Sequence, residues 1–128
     1  MLTVPTFIAE SPIQGFGLYA AAPIEKGDLI WRFQPGLDAV VADALVAALP
    51  PVARDFAERY SITSPKFPGA VIIHGDNTRF INHSTDPNTD NSSSDELTFA
   101  ARDIMKGEEI TADYKHCCEV YAALSLIH

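Results

Sequence analysis

Apolar residues change their spacing along this chain, and each change marks a new kind of element. Residues 6–10 and 17–20 are short apolar or mixed runs on either side of a Pro- and Gly-bearing turn, which predicts a hairpin. Asp28-Leu29-Ile30-Trp31-Arg32-Phe33 follows the Lys26-Gly27 turn as a third strand, and Pro35-Gly36 breaks it. From Asp38 onward Val41, Ala44, Leu45, Ala48 and Leu49 recur at helical spacing, so a helix capped by Asp38 is expected. Pro50-Pro51 stops it, and Pro51 suits the first turn of a second helix in which Val52, Phe56 and Tyr60 repeat every four residues. Strand-like runs resume at 70–74 and 96–102, with a polar surface loop expected over 85–95. Lys106-Gly107 then turns the chain into Ile110-Thr111-Ala112, and residues 116–126 read as one short helix. The pattern predicts one mostly-β domain over 1–128, with a helical insert at about 37–64 and a tail at 115–128.

Composition narrows this further. With 128 residues and 47% hydrophobic content the chain is long enough for one modest core and too apolar for a disordered tail. No run approaches the roughly 20 apolar residues of a membrane span, and the N-terminus lacks a basic segment followed by a long apolar stretch. A soluble, intracellular protein is expected. The net charge of −8 disfavours nucleic acid, whose phosphates would be repelled, and favours a basic partner such as a lysine-rich protein tail. Cys117 and Cys118 are adjacent, which suits neither an ordinary structural disulfide nor a spaced zinc site even with His116 beside them; reduced thiols and no metal are expected.

The chemistry concentrates in Arg79-Phe80-Ile81-Asn82-His83-Ser84, followed by Asp86-Pro87-Asn88. Phe80 and Ile81 seek burial and draw the amide and imidazole beside them inward, where each needs a partner. Such a segment is either a satisfied turn or a prepared polar site. Two further motifs bear on that choice. Gly15-Phe16-Gly17 lies near the start, and Gly107-Glu108-Glu109-Ile110-Thr111-Ala112-Asp113-Tyr114 near the end. In this order, and with Ile24-Glu25-Lys26-Gly27-Asp28 between them, the motifs resemble the SET-domain family of protein-lysine methyltransferases over roughly residues 5–115.

That resemblance implies a SET fold of small curved sheets, with a knot-like C-terminal threading that brings Asn82, His83 and Tyr114 around one ligand. It implies S-adenosylmethionine as cofactor, held by Gly15, Phe16, Gly17, Asn82 and His83, the last two mostly through backbone atoms. Tyr114 is the implied catalytic residue, its hydroxyl set by the transferring methyl and the lysine nitrogen. A tyrosine with a pKa near 10 orients and polarises; it is a poor bulk base at pH 7. Tyr60 is expected to close the lysine channel or touch the cofactor, and Arg79 and Glu108 to be structural. Two departures from the family pattern stand out. Ala112 occupies the position, two residues before the tyrosine, where a bulkier ring often limits methyl number, so multiple methylation is expected unless Phe99, Phe67 or Tyr121 fills the space. No cysteine-rich segment follows, so the tail or a second subunit has to wall the channel, and a homodimer is the expected assembly. The implied substrate is a lysine-rich histone-like or ribosomal tail. Two other readings stay open: a catalytically silent SET module that binds a basic peptide or protein, and methylation of a non-protein amine.

Overall fold

The computed structural model describes residues 1–94 and 96–114, and most of its regular structure is strand, arranged in three small sheets. The predicted hairpin forms: β1 (Thr6–Glu10) pairs antiparallel with β2 (Phe16–Ala20), Thr6 opposite Ala20, and Ser11 N–H donates to the Gly15 carbonyl across the turn. The same sheet continues to β10 (Glu109–Ala112), antiparallel to β2, and then to β7 (Asn82–His83), parallel to β10. A second sheet is built from β3 (Leu29–Arg32), β9 (Leu97–Ala100) and β8 (Thr89–Asp90), and a third from β4 (Ala39–Ala42), β6 (Ala70–Ile73) and β5 (Ser61–Ile62).

The insert departs from its expected form. Residues 39–42 are not helical: Ala39-Val40-Val41-Ala42 pairs along its whole length with Ala70–Ile73. The apolar spacing fits a helix, but the two β-branched valines lie opposite Ile72 and Val71, and cross-strand packing decides the conformation. The first helix, α1, is therefore only Asp43–Ala48, with Ala42 at its N-cap and no side-chain cap. Asp38 caps nothing there. It is 1% exposed and accepts a hydrogen bond from Gln34 N–H at 2.8 Å. The second helix, α2 (Pro51–Tyr60), begins at Pro51 as predicted. The 85–95 stretch is likewise more than surface loop. Thr89 and Asp90 pair with β9, and Asn88 is 2% exposed. Its amide donates to the Glu109 carbonyl and accepts from Thr111 N–H.

Leu18, Ala20, Ile24, Ile30, Ala100, Ile104 and Ile110 form the core. Burying each leucine or isoleucine among them contributes about 1.5–3 kcal/mol. Two similar turns close this core. Ile24 and Ile104 exchange N–H···O bonds of 2.8 Å each. The glycines that follow, Gly27 and Gly107, both have positive φ, 90° and 87°, a left-handed step that the missing Cβ permits. The tail helix expected over 116–126, with Cys117, Cys118 and Tyr121, lies outside the described residues. Among the described residues no helix is long and apolar enough to cross a membrane.

A buried carboxylate, Asp38, and a half-buried one, Asp76, link the fold to pH. Burial pushes Asp76 up, but hydrogen bonds from Thr78 and from Leu2 N–H outweigh it and hold the carboxyl below its usual range. Asp38 follows the same logic, with burial offset by bonds from His74 and Gln34 N–H. A carboxyl depressed in the folded state stabilises the fold above its unfolded pKa, near 3.9, and that contribution is lost as pH falls through the folded value. Urea midpoints are therefore expected to be level near neutrality and to fall on acidification below about pH 4–5. Asp76→Asn should flatten part of that fall, and an unchanged acid slope in this variant would contradict the assignment.

Candidate functional site

The site is organised around Glu109, the first residue of β10. Its carboxylate accepts from Ser11 Oγ at 2.7 and 2.9 Å and from the Asn82 amide at 2.9 Å. Asn82 also donates to the carbonyls of Gln14 and Phe16, both at 3.2 Å. One amide thus ties the turn before β2 to the strand that carries the Asn-His-Ser motif. The two glycines of this turn differ in their reason for being glycine. Gly15 has φ +49°, whereas Gly17 is needed for space. A Cβ on Gly17 would lie 2.4 Å from Glu109 Oε2, an oxygen already held by hydrogen bonds. Gly17→Ala is expected to cost about 1–3 kcal/mol, read as a lowered denaturant midpoint with the slope unchanged.

The parallel pairing of β7 with β10 places His83 opposite Ala112, and Ser84 N–H donates to the Ala112 carbonyl at 3.0 Å. The chain then delivers Tyr114 against His83. Tyr114 N–H donates to His83 Nδ1 at 3.1 Å, and the two rings lie 5.2 Å apart. An accepting Nδ1 makes the imidazole neutral with its proton on Nε2, and the Asp113 carboxylate, 3.8 Å from Nδ1, is beyond hydrogen-bond distance. The Tyr114 hydroxyl donates to the Ile81 carbonyl.

Two cavities meet at this tyrosine. The larger, about 610 Å³, lies between the Ile13–Phe16 turn, the α2 residues Asp55, Glu58, Arg59 and Tyr60, and the Arg79–His83 segment. The narrower, about 80 Å³, is walled by Trp31, Ile62, His74, Thr98 and Ala112 among others. Tyr60, Arg79, Ile81 and Tyr114 line both. Tyr60 is held there by rings on two sides, Phe56 at 5.0 Å and Phe80 at 6.1 Å. The Arg79 guanidinium lies 5.2 Å from the Phe80 ring centre and 5.8 Å from that of Phe56, a cation–π arrangement that brings a positive charge to the junction.

Of the residues singled out from sequence, Gly15, Phe16, Asn82, His83, Tyr60 and Tyr114 all line the larger cavity. Gly17 does not: it is buried behind the turn against Glu109. Asn82 turns its side chain, not only its backbone, to the work of the turn. Glu108, expected to be structural, accepts from the Asn88 amide at 2.9 Å. Arg79, also read as structural, lines both cavities. Phe99 and Phe67 are not among the residues that wall the narrow cavity beside Ala112; Trp31 and Tyr60 are. Sequence reasoning passed over Glu109, Trp31 and His74. The signal for Glu109 was Gly17 itself, since a glycine inside a strand marks close approach of another group. Among the described residues no cluster of three or more His, Cys, Asp or Glu side chains could hold a metal ion.

The SET domain family model matches residues 15–115. A histone-lysine N-methyltransferase, H3 lysine-4 specific, from Cryptococcus neoformans is 32% identical over 123 residues, covering 91% of this chain and 8% of its own length. The Neurospora SET domain protein DIM-5, a histone lysine methyltransferase, superposes with a TM-score of 0.62 at 28% identity, over 88% of this chain and 53% of its own. The fold also matches ctPRC2 in an autoinhibited conformation bound to S-adenosylmethionine, with a TM-score of 0.66 at 23% identity, over 97% of this chain and 17% of that one. This chain thus spans under a tenth of the curated relative and about half of the Neurospora protein.

Proposed function

The chain belongs to the SET-domain family, and from that premise we propose that it is an S-adenosylmethionine-dependent protein-lysine N-methyltransferase acting on a basic, histone-like protein as a single SET domain. The observation that carries this reading is the meeting of a roomy cavity and a narrow one at Tyr114. A methyl donor in one and an amine in the other would face each other across one hydroxyl. S-adenosylmethionine, when bound, supplies a methyl group on a sulfonium that leaves as a neutral thioether.

The larger cavity fits such a group. Its 610 Å³ falls within the roughly 300–1,000 Å³ of ordinary small-molecule sites. Its lining offers Asp55 and Glu58 to cationic groups, Arg59 and Arg79 to a carboxylate, and Phe16 and Ile13 as apolar surface. Gly15 and Phe16 would hold the cofactor along the turn that Asn82 fixes, with His83 beside Tyr114. The narrow cavity would strip water from the lysine side chain and hold its nitrogen near the Tyr114 hydroxyl. Dehydration favours the neutral amine, and alignment supplies most of the remaining acceleration. Ala112 leaves the wall of this cavity small, so the product is expected to go beyond one methyl group.

Calorimetry with S-adenosylmethionine on chelator-treated protein, followed by mass spectrometry of a lysine-rich histone mixture, tests the reading. Micromolar binding and mass gains in steps of one methyl are expected. Cofactor binding without any transfer would instead identify a silent module, and transfer that stops at one methyl would contradict the role given to Ala112.

A further inference from the structure

The narrow cavity has a polar inner wall that neither the cofactor nor Tyr114 uses. His74 follows β6 and lines the cavity at only 6% exposure. Its Nδ1 lies 3.1 Å from Oδ1 of Asp38, whose side chain is fully buried. Asp38 is further held by Gln34 N–H at 2.8 Å and by the Met1 amino group at 3.1 Å. A buried carboxylate on Nδ1 keeps the proton there and leaves Nε2 as the accepting nitrogen. Packed edge-on against this imidazole is Trp31, with ring centres 5.1 Å apart at 81°. Trp31 lines the same cavity, and its Nε1–H is buried without a hydrogen-bond partner.

Resting on the methyl-transfer reading above, we propose that His74, positioned by Asp38, accepts the proton that the substrate ammonium must lose before it can take a methyl group. A water in the cavity takes a proton from the ammonium as it passes one of its own to His74 Nε2. The products are a neutral amine, an imidazolium and the same water. The imidazolium returns its proton to solvent after the turnover. The need is real, because a free lysine has a pKa near 10.4 and only about one in a few thousand is neutral at pH 7. Among the described residues the other charged and titratable groups around His74 are few. Asp38 and the Met1 amino group stand behind its Nδ1, Asp76 follows two residues on, and Arg79, Tyr60 and Tyr114 share the cavity. The Arg79 cation disfavours an ammonium in the cavity and so works in the same direction.

The first test compares kcat/KM from pH 6 to 10 for the wild-type protein and His74→Asn, whose amide nitrogen can still donate to Asp38. The variant is expected to lose about tenfold or more at pH 7 and to recover towards wild type near pH 10, where solvent alone deprotonates the lysine. A loss that is equal at every pH overturns the proposal, because a purely structural role would look like that. The second test needs no turnover. In protein with labelled histidine, the His74 NMR titration is followed with a lysine peptide bound and with the same peptide carrying norleucine. The lysine peptide should lower the midpoint by about one unit relative to norleucine; equal midpoints overturn the proposal. If the lysine peptide shifts His74 while the wild-type protein transfers no methyl at any pH, the proton-accepting site stands and the methyltransferase reading falls.

Discussion

Tyr114→Phe is expected to lower methyl transfer by about 10²-fold or more, with S-adenosylmethionine affinity and thermal stability little changed. The phenyl ring keeps its place, because the contact with the His83 ring at 5.2 Å and the backbone bond from Tyr114 N–H to His83 do not involve the hydroxyl. What disappears is the O–H anchored on the Ile81 carbonyl where the two cavities join. Without it the methyl and the amine lose one fixed polar group at that point. The two therefore spend less time in line, and lost alignment lowers kcat more than KM. Single-turnover rates with calorimetry on the same sample measure both halves of the expectation. Near-wild-type turnover would remove Tyr114 from the chemistry, and lost cofactor binding would make it a structural residue instead.

Asn82→Ala carries the second large effect, and it falls on binding before catalysis. Its amide serves the carbonyls of Gln14 and Phe16 and the carboxylate of Glu109 together. At about 1 kcal/mol for each bond lost, the variant should be destabilised by roughly 2–3 kcal/mol. The Ile13–Phe16 turn would then be free to move away from the cavity it lines, and cofactor affinity is expected to fall about tenfold or more, since ordering the turn is charged against binding. Asn82→Asp should be worse than alanine, because it puts a carboxylate where Glu109 already holds a negative charge. Thermal melts and titration calorimetry on the three proteins give the order; an aspartate variant more stable than the alanine one would show that the amide is not the tie.

Much of this was legible before any coordinates. The hairpin at 6–20, the third strand, the proline-started helix and the turn into β10 all follow from short-range patterns that tertiary structure left alone. The motif residues around Tyr114 were equally visible, since Gly15, Asn82 and His83 carry distinctive chemistry in a fixed order. Two kinds of information were not local. Residues 39–42 have helical spacing and become a strand only because Ala70–Ile73 lies beside them, and no window around Asp38 contains that partner. Likewise Glu109 reads in sequence as one more acid in a charged turn. Its role depends on Ser11 and Asn82, which reach it from distant parts of the chain. His74 gave no signal at all. A lone histidine after an apolar run acquires meaning only when Asp38 and Trp31 close on it.

The reciprocal bonds between Ile24 and Ile104 bear on how the molecule is made as well as on how it stands. Each turn is the hydrogen-bonding partner of the other, so neither can be completed by a growing chain until the second has left the ribosome. By then almost all of the domain has been synthesised. A contact of such long sequence separation must be closed against the entropy of the intervening loop, which slows folding more than it weakens the product. Until that moment the hairpin and β3 expose Leu18 and Ile30, residues fully covered in the finished core. The nascent chain is therefore most in need of protection by chaperones late in its synthesis, and a stop before Lys106 would leave a fragment with no closed core.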